Sequence, residues 1–294
     1  MLSIFRRAAR TACTIRNTRN SFRPRLEVLE DRWMPSTLKV LNTADSGPSS
    51  LRAEIAAAQS GDTIVFDPSL SGQTITLNSG ELAINKSLNI QGPAQGQLPV
   101  RISGGGASRV FDVNNPRANV TLTNLAVING FTVAVAGNSY SGLGGGVLNL
   151  GSLTIAGCTF SDNSASRFGG GIDNYYGTLS IAGSTLSGNS SGDGGGAIFN
   201  VRGTLTITGS TLSGNSTSNY GGGIANTGKA TVQNSTLSGN SAGNYGGGIY
   251  NIPSASLMIR ASLVCDNLAP LGADLYNLGT VVISKDSTVC LIGP

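Results

Sequence analysis

Residues 194–215 read GGGAIFNVRGTLTITGSTLSGN, from Gly194 to Asn215. Apolar side chains at Ile198, Leu205, Ile207 and Leu212 alternate with polar ones, and Gly and Asn break the stretch into short runs. Alternation of period two puts these four on one face of short strands, with Phe199, Thr204 and Thr206 on the other; no amphipathic helix has this pattern. The same inward set recurs as Ile172, Leu179, Ile181 and Leu186, and again as Ile249, Leu257, Ile259 and Val264.

Outward from this stretch, the spacing repeats. Gly triplets start at Gly144, Gly169, Gly194, Gly221 and Gly246. An Asn follows each, at Asn149, Asn174, Asn200, Asn226 and Asn251, and Asn277 continues the series. A second series runs Asn163, Asn189, Asn215, Asn240, Asn267, all in steps of 25–27 residues. One such unit cannot bury its apolar face alone. Stacked in register at about 4.8 Å, the units form parallel ladders around one continuous apolar column. The expected fold is all-β: a single-stranded right-handed parallel β-helix of 25–26 residues per coil. The Asn residues sit at turns, where their amides bond to backbone and stack along the axis, and Gly takes the crowded or positive-φ turn positions.

Gly195-Gly196-Ala197-Ile198 and Phe160-Ser161-Asp162-Asn163 resemble the paired GGAI and FxxN signatures of polymorphic outer-membrane-protein repeats. The other coils carry GGGI or a close variant, and Leu-Ser-Gly-Asn in place of FxxN. The resemblance spans roughly residues 140–290 and implies a bacterial surface β-helix. The chain reaches Pro294 with no β-barrel segment, so the resemblance does not extend to autotransport.

Residues 37–131 are less regular. Asn42-Thr43-Ala44-Asp45-Ser46-Gly47, leading into Ser50-Leu51-Arg52-Ala53-Glu54-Ile55, resembles the N-terminal region of bacterial secreted β-helix proteins with an NTxDSGxGSLRxAI segment. Ser50 is placed to N-cap a short helix whose Leu51, Ile55 and Ala58 share a face. Such a helix covers the apolar end and open edge of the first coil. The first strand is expected at Gly61–Phe66, and regular repeats fill 132–294, with 131–143 as the longest irregular insertion. No covering segment is evident over the last coil, Val281 to Cys290.

The formal charge of +4 belongs to residues 1–36. Eight Arg against Glu27, Glu30 and Asp31 give that stretch +5, and the remainder is −1. The repeats therefore offer no electrostatic footprint for nucleic acid. No apolar run reaches the 18 residues a membrane-spanning helix needs. Residues Arg23–Ser36, containing Leu26-Glu27-Val28-Leu29-Glu30-Asp31-Arg32, resemble the LExLExR segment of predicted secreted proteins of planctomycete-type bacteria, which implies export of the chain and removal of a basic leader over 1–36.

Cys13 falls in that leader, and Cys158 aligns with Ser184 and Ser210 at a loop position. Cys265 and Cys290 follow equivalent inward residues one coil apart, about 5 Å between Cα atoms, within reach of a disulfide. Two separate thiols are the alternative.

His is absent, which removes His-based acid–base chemistry, metal ligation by imidazole and Ser-His-Asp catalysis. Carboxylate-only chemistry needs a close pair, roughly 5–9.5 Å apart in glycosidases. Asp162 and Asp266 share a column but lie four coils apart, about 19 Å. Asp173 and Asp193 fall in different columns, Glu is absent after Glu81, and the residual group Asp266, Asp274 and Asp286 reads as solvated turn acids. The Gly triplets open no helix after a strand and are not phosphate loops. No catalytic residue, cofactor or metal site is implied.

Two outward features could bind. Phe168, Tyr220 and Tyr245 each precede a Gly triplet, with Asp193 and Leu143 in that place on the other coils; they are either an aromatic strip for sugar rings or shields of the turn. Ser152 and Thr154, Thr178 and Ser180, and Thr204 and Thr206 form an outward Ser/Thr array that Lys229 and Met258 interrupt, against an ice-binding reading. The sequence points to an exported surface protein, structural, adhesive or polysaccharide-binding, meeting an envelope polysaccharide or another surface protein. The alternatives are a polysaccharide lyase or glycoside hydrolase of pectin-lyase-like fold, with its site on 131–143, and an inert spacer.

Overall fold

A computed structural model describes residues 34–293. The leader expected over 1–36, with Cys13, lies outside the described residues except for Met34, Pro35 and Ser36. From Pro35 onward the chain is one compact unit.

Each coil contributes a strand to three long sheets and, in five coils, a two-residue strand to a fourth. In one coil these are Thr204–Thr208 in the first sheet, Thr211–Ser213 in the second, Ser216–Thr217 in the short one and Ile224–Asn226 in the third. The long sheets hold ten, nine and nine strands, and every named ladder is parallel, so the chain is the expected β-helix. Register follows the apolar columns. Ile172, Ile198, Ile224, Ile249 and Leu275 pair in succession and are fully buried. Leu186, Leu212, Leu237 and Val264 do the same in the second sheet. One core cluster runs from Val40 to Leu275.

Three polar ladders line this core, because amides and hydroxyls buried at the corners need partners. Asn149, Asn174, Asn200, Asn226 and Asn251 each pass an Nδ2 hydrogen bond to the Oδ1 of the next, at 2.7–2.8 Å, and Asn277 ends the ladder by donating to the Gly279 carbonyl. Asn163, Asn189, Asn215, Asn240 and Asn267 form the second at 2.8–2.9 Å. The third was not read from the sequence: the backbone N–H groups of Cys158, Ser184, Ser210 and Ser235 each donate to the Oγ one coil ahead, all at 3.1 Å. Cys158 lies where expected, between the strands Ser152–Ala156 and Thr159–Ser161, at the head of this column. It is buried in the serine column, and burial pushes its thiol to about 11.

Ser50 caps the helix Leu51–Ala57, accepting from the Ala53 N–H at 3.2 Å, and Leu51, Ile55 and Ala58 are buried over the first coils. Lys86 closes the other end by donating to the carbonyls of Ile55, Ala56 and Ala58 at 2.7–3.3 Å. The first strand is Thr37–Val40, one coil earlier than Gly61–Phe66, and it pairs with Thr63–Phe66. At the other end Leu291 and Ile292 are 61% and 56% exposed. Cys265 and Cys290 are joined as a disulfide with Cα atoms 5.2 Å apart, tying the last described coil to its neighbour.

Candidate functional site

The outward side of the third sheet carries the chemistry. Phe168, Gly194, Tyr220 and Tyr245 occupy one column, preceded by Leu143 and followed by Leu271. This corrects the register of the third triplet. Gly195, not Gly194, is the equivalent of Gly169 and Gly221, as its φ of +68° shows, and Gly194 stands in the aromatic column in place of Asp193. A second column, which reading the triplets alone misses, lies beside it: Asp112, Leu148, Asp173, Phe199, Ala225, Tyr250 and Tyr276.

The two columns interlock with a one-coil offset. The Phe168 ring stacks on Phe199 at 4.5 Å between centroids, Tyr220 meets Tyr250 at 4.9 Å, and Tyr245 meets Tyr276 at 4.9 Å. Gly194 and Ala225 leave a gap that Tyr220 crosses, its ring lying where a Cβ on Gly194 would stand, to come within 6.4 Å of Phe199. Six rings thus form an unbroken row along the helix axis, half-buried apart from Phe199, which is 7% exposed. Phe199 points away from the core, as the alternation requires, but the Phe168 ring covers it. Arg167 sits 5.2 Å over the Phe168 ring at one end. Burial first, then Asp193 and Tyr250, pushes the Tyr220 phenol up; burial and the neighbouring tyrosines do the same to Tyr250. Both stay neutral hydroxyls.

The expected turn acids divide. Asp162 and Asp266 are exposed, with φ near +60°, in the column that Gly188, Gly214 and Gly239 fill elsewhere. Asp274 is no surface acid. It is buried and ends the second Asn ladder, accepting from the Asn267 side chain at 2.8 Å and from the Leu291 N–H at 2.9 Å. Asp286 accepts from Ser284 and the Ala261 N–H, so the group Asp266, Asp274 and Asp286 does not form a cluster.

Asp173 is the larger correction. It is 0% exposed and neither carboxyl oxygen has a hydrogen-bond partner. Burial drives its pKa well above the usual carboxylate range, against the pull of Arg109 and Arg167, which favours the neutral acid. Arg109, itself buried, gathers Glu81 at 2.6 Å and Asp112 at 4.0 Å. Its remaining donors hold the carbonyls of Tyr140, Leu143 and Gly144 at 2.7–3.1 Å. The insertion 131–143 is therefore a strap clamped at its end by Arg109. At its start, Ala134 N–H donates to Ser166 Oγ at 2.8 Å and Gly142 N–H to Thr132 Oγ1 at 3.0 Å. Val133, Val135 and Tyr140 on the strap are exposed, and Tyr140 meets the edge of Tyr175.

The outward Ser/Thr array lies on the first sheet, with Ser152, Thr178, Thr204 and Lys229 in one column and Thr154, Ser180, Thr206, Thr231 and Met258 in another.

Two coils of this surface match a known repeat. They are similar to the Chlamydia polymorphic membrane protein repeat, at residues 157–175 and 183–201. These stretches hold both signatures described above, and the structure explains them. Phe160 and Ile198 fill the core, Asn163 is a ladder amide, and Gly195 takes a positive φ at the turn. Comparison with curated proteins gives no match. Among solved structures, a crystal structure of pectate lyase Pel9A is similar over 88% of this chain and 78% of its own, at 15% identity and a TM-score of 0.35. Among the described residues no helix is long and apolar enough to cross a membrane, and no group of three or more Cys, Asp or Glu is arranged to hold a metal ion.

Proposed function

We propose that this protein is an exported bacterial surface β-helix whose row of six rings binds an extended neutral polysaccharide, without turning it over. The observation that carries the reading is the row itself. Rings recur at coil spacing along the axis, all but Phe199 present half-exposed faces, and four of the six are tyrosines that bear hydroxyls. Flat pyranose faces stack on aromatic faces, and tyrosine hydroxyls reach the ring substituents. The row itself bears no formal charge, which suits an uncharged polymer. The repeat likeness supports a place on the cell surface, and the laddered core supports a stiff, protease-resistant rod.

Catalysis is not part of this reading. Asp112 and Asp173 share a column two coils apart, but Leu148 lies between them in that column and the Arg109 guanidinium is held close to Asp112. The test is a glycan array run with an assay for reducing ends and unsaturated products. Binding that Tyr220→Ala and Tyr250→Ala each weaken about tenfold, with no product, supports the proposal. Product release that a single Asp→Asn change abolishes would overturn the non-catalytic part, and absence of any glycan binding would overturn the rest.

A further inference from the structure

The aromatic row does not stop at Phe168; it runs into Asp173. In the second column Asp173 is the immediate neighbour of Phe199, and in the first Leu143 is the immediate neighbour of Phe168. The offset that sets Phe168 on Phe199 and Tyr220 on Tyr250 sets Leu143 over Asp173. One coil beyond the last ring, then, the place of a ring pair is held by a carboxyl under a leucine. That leucine is the end of the strap.

Two observations show that this place is built for more than closure. First, Asp173 has no partner for either oxygen although it is fully buried, while the equivalent position one coil earlier is filled by Leu148, 1% exposed. An apolar residue fits there, so packing alone does not call for an acid. Second, the strap is fastened mainly by polar ties at its two ends, and its middle exposes Val133 and Val135. Its exposed stretch 133–140 leaves it held at the ends, where Leu143 is buried and bridged to Phe168, so lifting it means opening that one bridge and the Arg109 clamp.

We propose that the strap 131–143 closes a further subsite of the polysaccharide row, in which Leu143 moves aside and one more pyranose takes its place over Asp173. The inference rests on the reading of the row as a glycan track. A neutral carboxyl offers one donor and one strong acceptor side by side. Adjacent sugar hydroxyls offer the same in reverse, so the hydrogen bonds that Asp173 lacks in the closed state form in the occupied one. The groups facing this carboxyl are Arg109, clamping the strap, and Arg167, over the last ring. Neither donates to it in the closed state. A chain threaded along the row would meet this subsite only if it were long enough to reach past Phe168, so the effect is one of chain length.

The test is calorimetric titration of the full chain with neutral cello-, xylo- and manno-oligosaccharides graded in length. The wild type should go on gaining affinity for one sugar unit beyond the length at which Asp173→Leu levels off, ending about tenfold tighter. Asp173→Asn, which keeps a donor and an acceptor, should retain most of that last step. Hydrogen exchange supplies a readout that a purely structural Asp173 would not move: the Ala134 and Gly142 amides should lose protection with the longest oligosaccharides and keep it with short ones. Identical length profiles for the wild type and Asp173→Leu, with Tyr220→Ala weakened, overturn the subsite and leave the track standing. No binding by the wild type brings down both.

Discussion

Replacing Asp173 with Leu should stabilise the protein, and more so at neutral pH than in acid. The position lies in a column whose preceding member, Leu148, is buried at 1% exposure, so the column already takes a leucine one coil earlier. The change removes a buried carboxyl with two unpartnered oxygens. Such an unsatisfied group costs about 1–3 kcal/mol, so a gain near 2 kcal/mol is expected. For a domain of this size that corresponds to a rise in Tm of roughly 4–8 °C. The pH dependence has a definite sign. Burial raises the Asp173 pKa in the folded protein above its ordinary value of 3.8. Below that value both folded and unfolded chains hold the proton, and the wild type has its full stability. As pH rises above it the unfolded chain ionises first, and the wild type loses stability until the folded pKa is passed. The Leu variant lacks this loss, so its advantage should widen from acid toward neutral pH. Calorimetric melts of both proteins across that range measure the difference, in which the contributions of all other acids cancel. A variant that melts below the wild type at neutral pH, or a gap that does not change with pH, would refute the account of an unpartnered neutral acid.

Asn215→Ala should cost about 2–4 kcal/mol in chemical denaturation, because the Asn189 side chain and backbone N–H both lose their acceptor at a fully buried corner. Cys265→Ser opens a link across 25 residues, worth about 3.5 kcal/mol on the loop-entropy scale; hydrogen exchange should quicken over the last coil and stay slow at Ile198 and Ile224. Gly194→Ala should push the Tyr220 ring out of the row and weaken glycan binding about as much as Tyr220→Ala, while the far-ultraviolet dichroism spectrum stays unchanged.

The coil, its register and its core were legible because Ile and Leu recur at fixed spacing and period-two alternation assigns each a face. Ile172, Ile198, Ile224 and Ile249 needed nothing else. The second aromatic column was hidden by a one-residue slip. Aligning coils on glycine triplets puts Asp193 beside Phe168, whereas aligning them on the isoleucines puts Gly194 there and gathers Phe199, Tyr250 and Tyr276 with Asp173. The burial of Asp173 had no local signal. It points away from the core, a direction that alternation equates with solvent, and the one-coil offset of the two columns brings the strap end at Leu143, thirty positions back, to its side. The alignment of Cys158 with Ser184 and Ser210 was legible, but not that their backbone N–H groups bond to the hydroxyl one coil ahead, because spacing places a residue at a corner without saying which way its side chain turns.

The second asparagine ladder has a direction. From Asn163 to Asn267 every side-chain amide gives its hydrogen forward and receives from behind, so their dipoles add head to tail with the positive pole facing the later coils. At that pole stands Asp274, an acid where each earlier link is an amide, and it accepts from both the Asn267 side chain and the Asn267 N–H. An acceptor at the positive end of aligned dipoles is electrostatically favoured, as an anion is at a helix N-terminus. A carboxylate has no hydrogen to pass on. Lengthening the rod by duplicating a unit would therefore keep this polarity only if the copy entered upstream of Asp274, so that the acid remains the full stop.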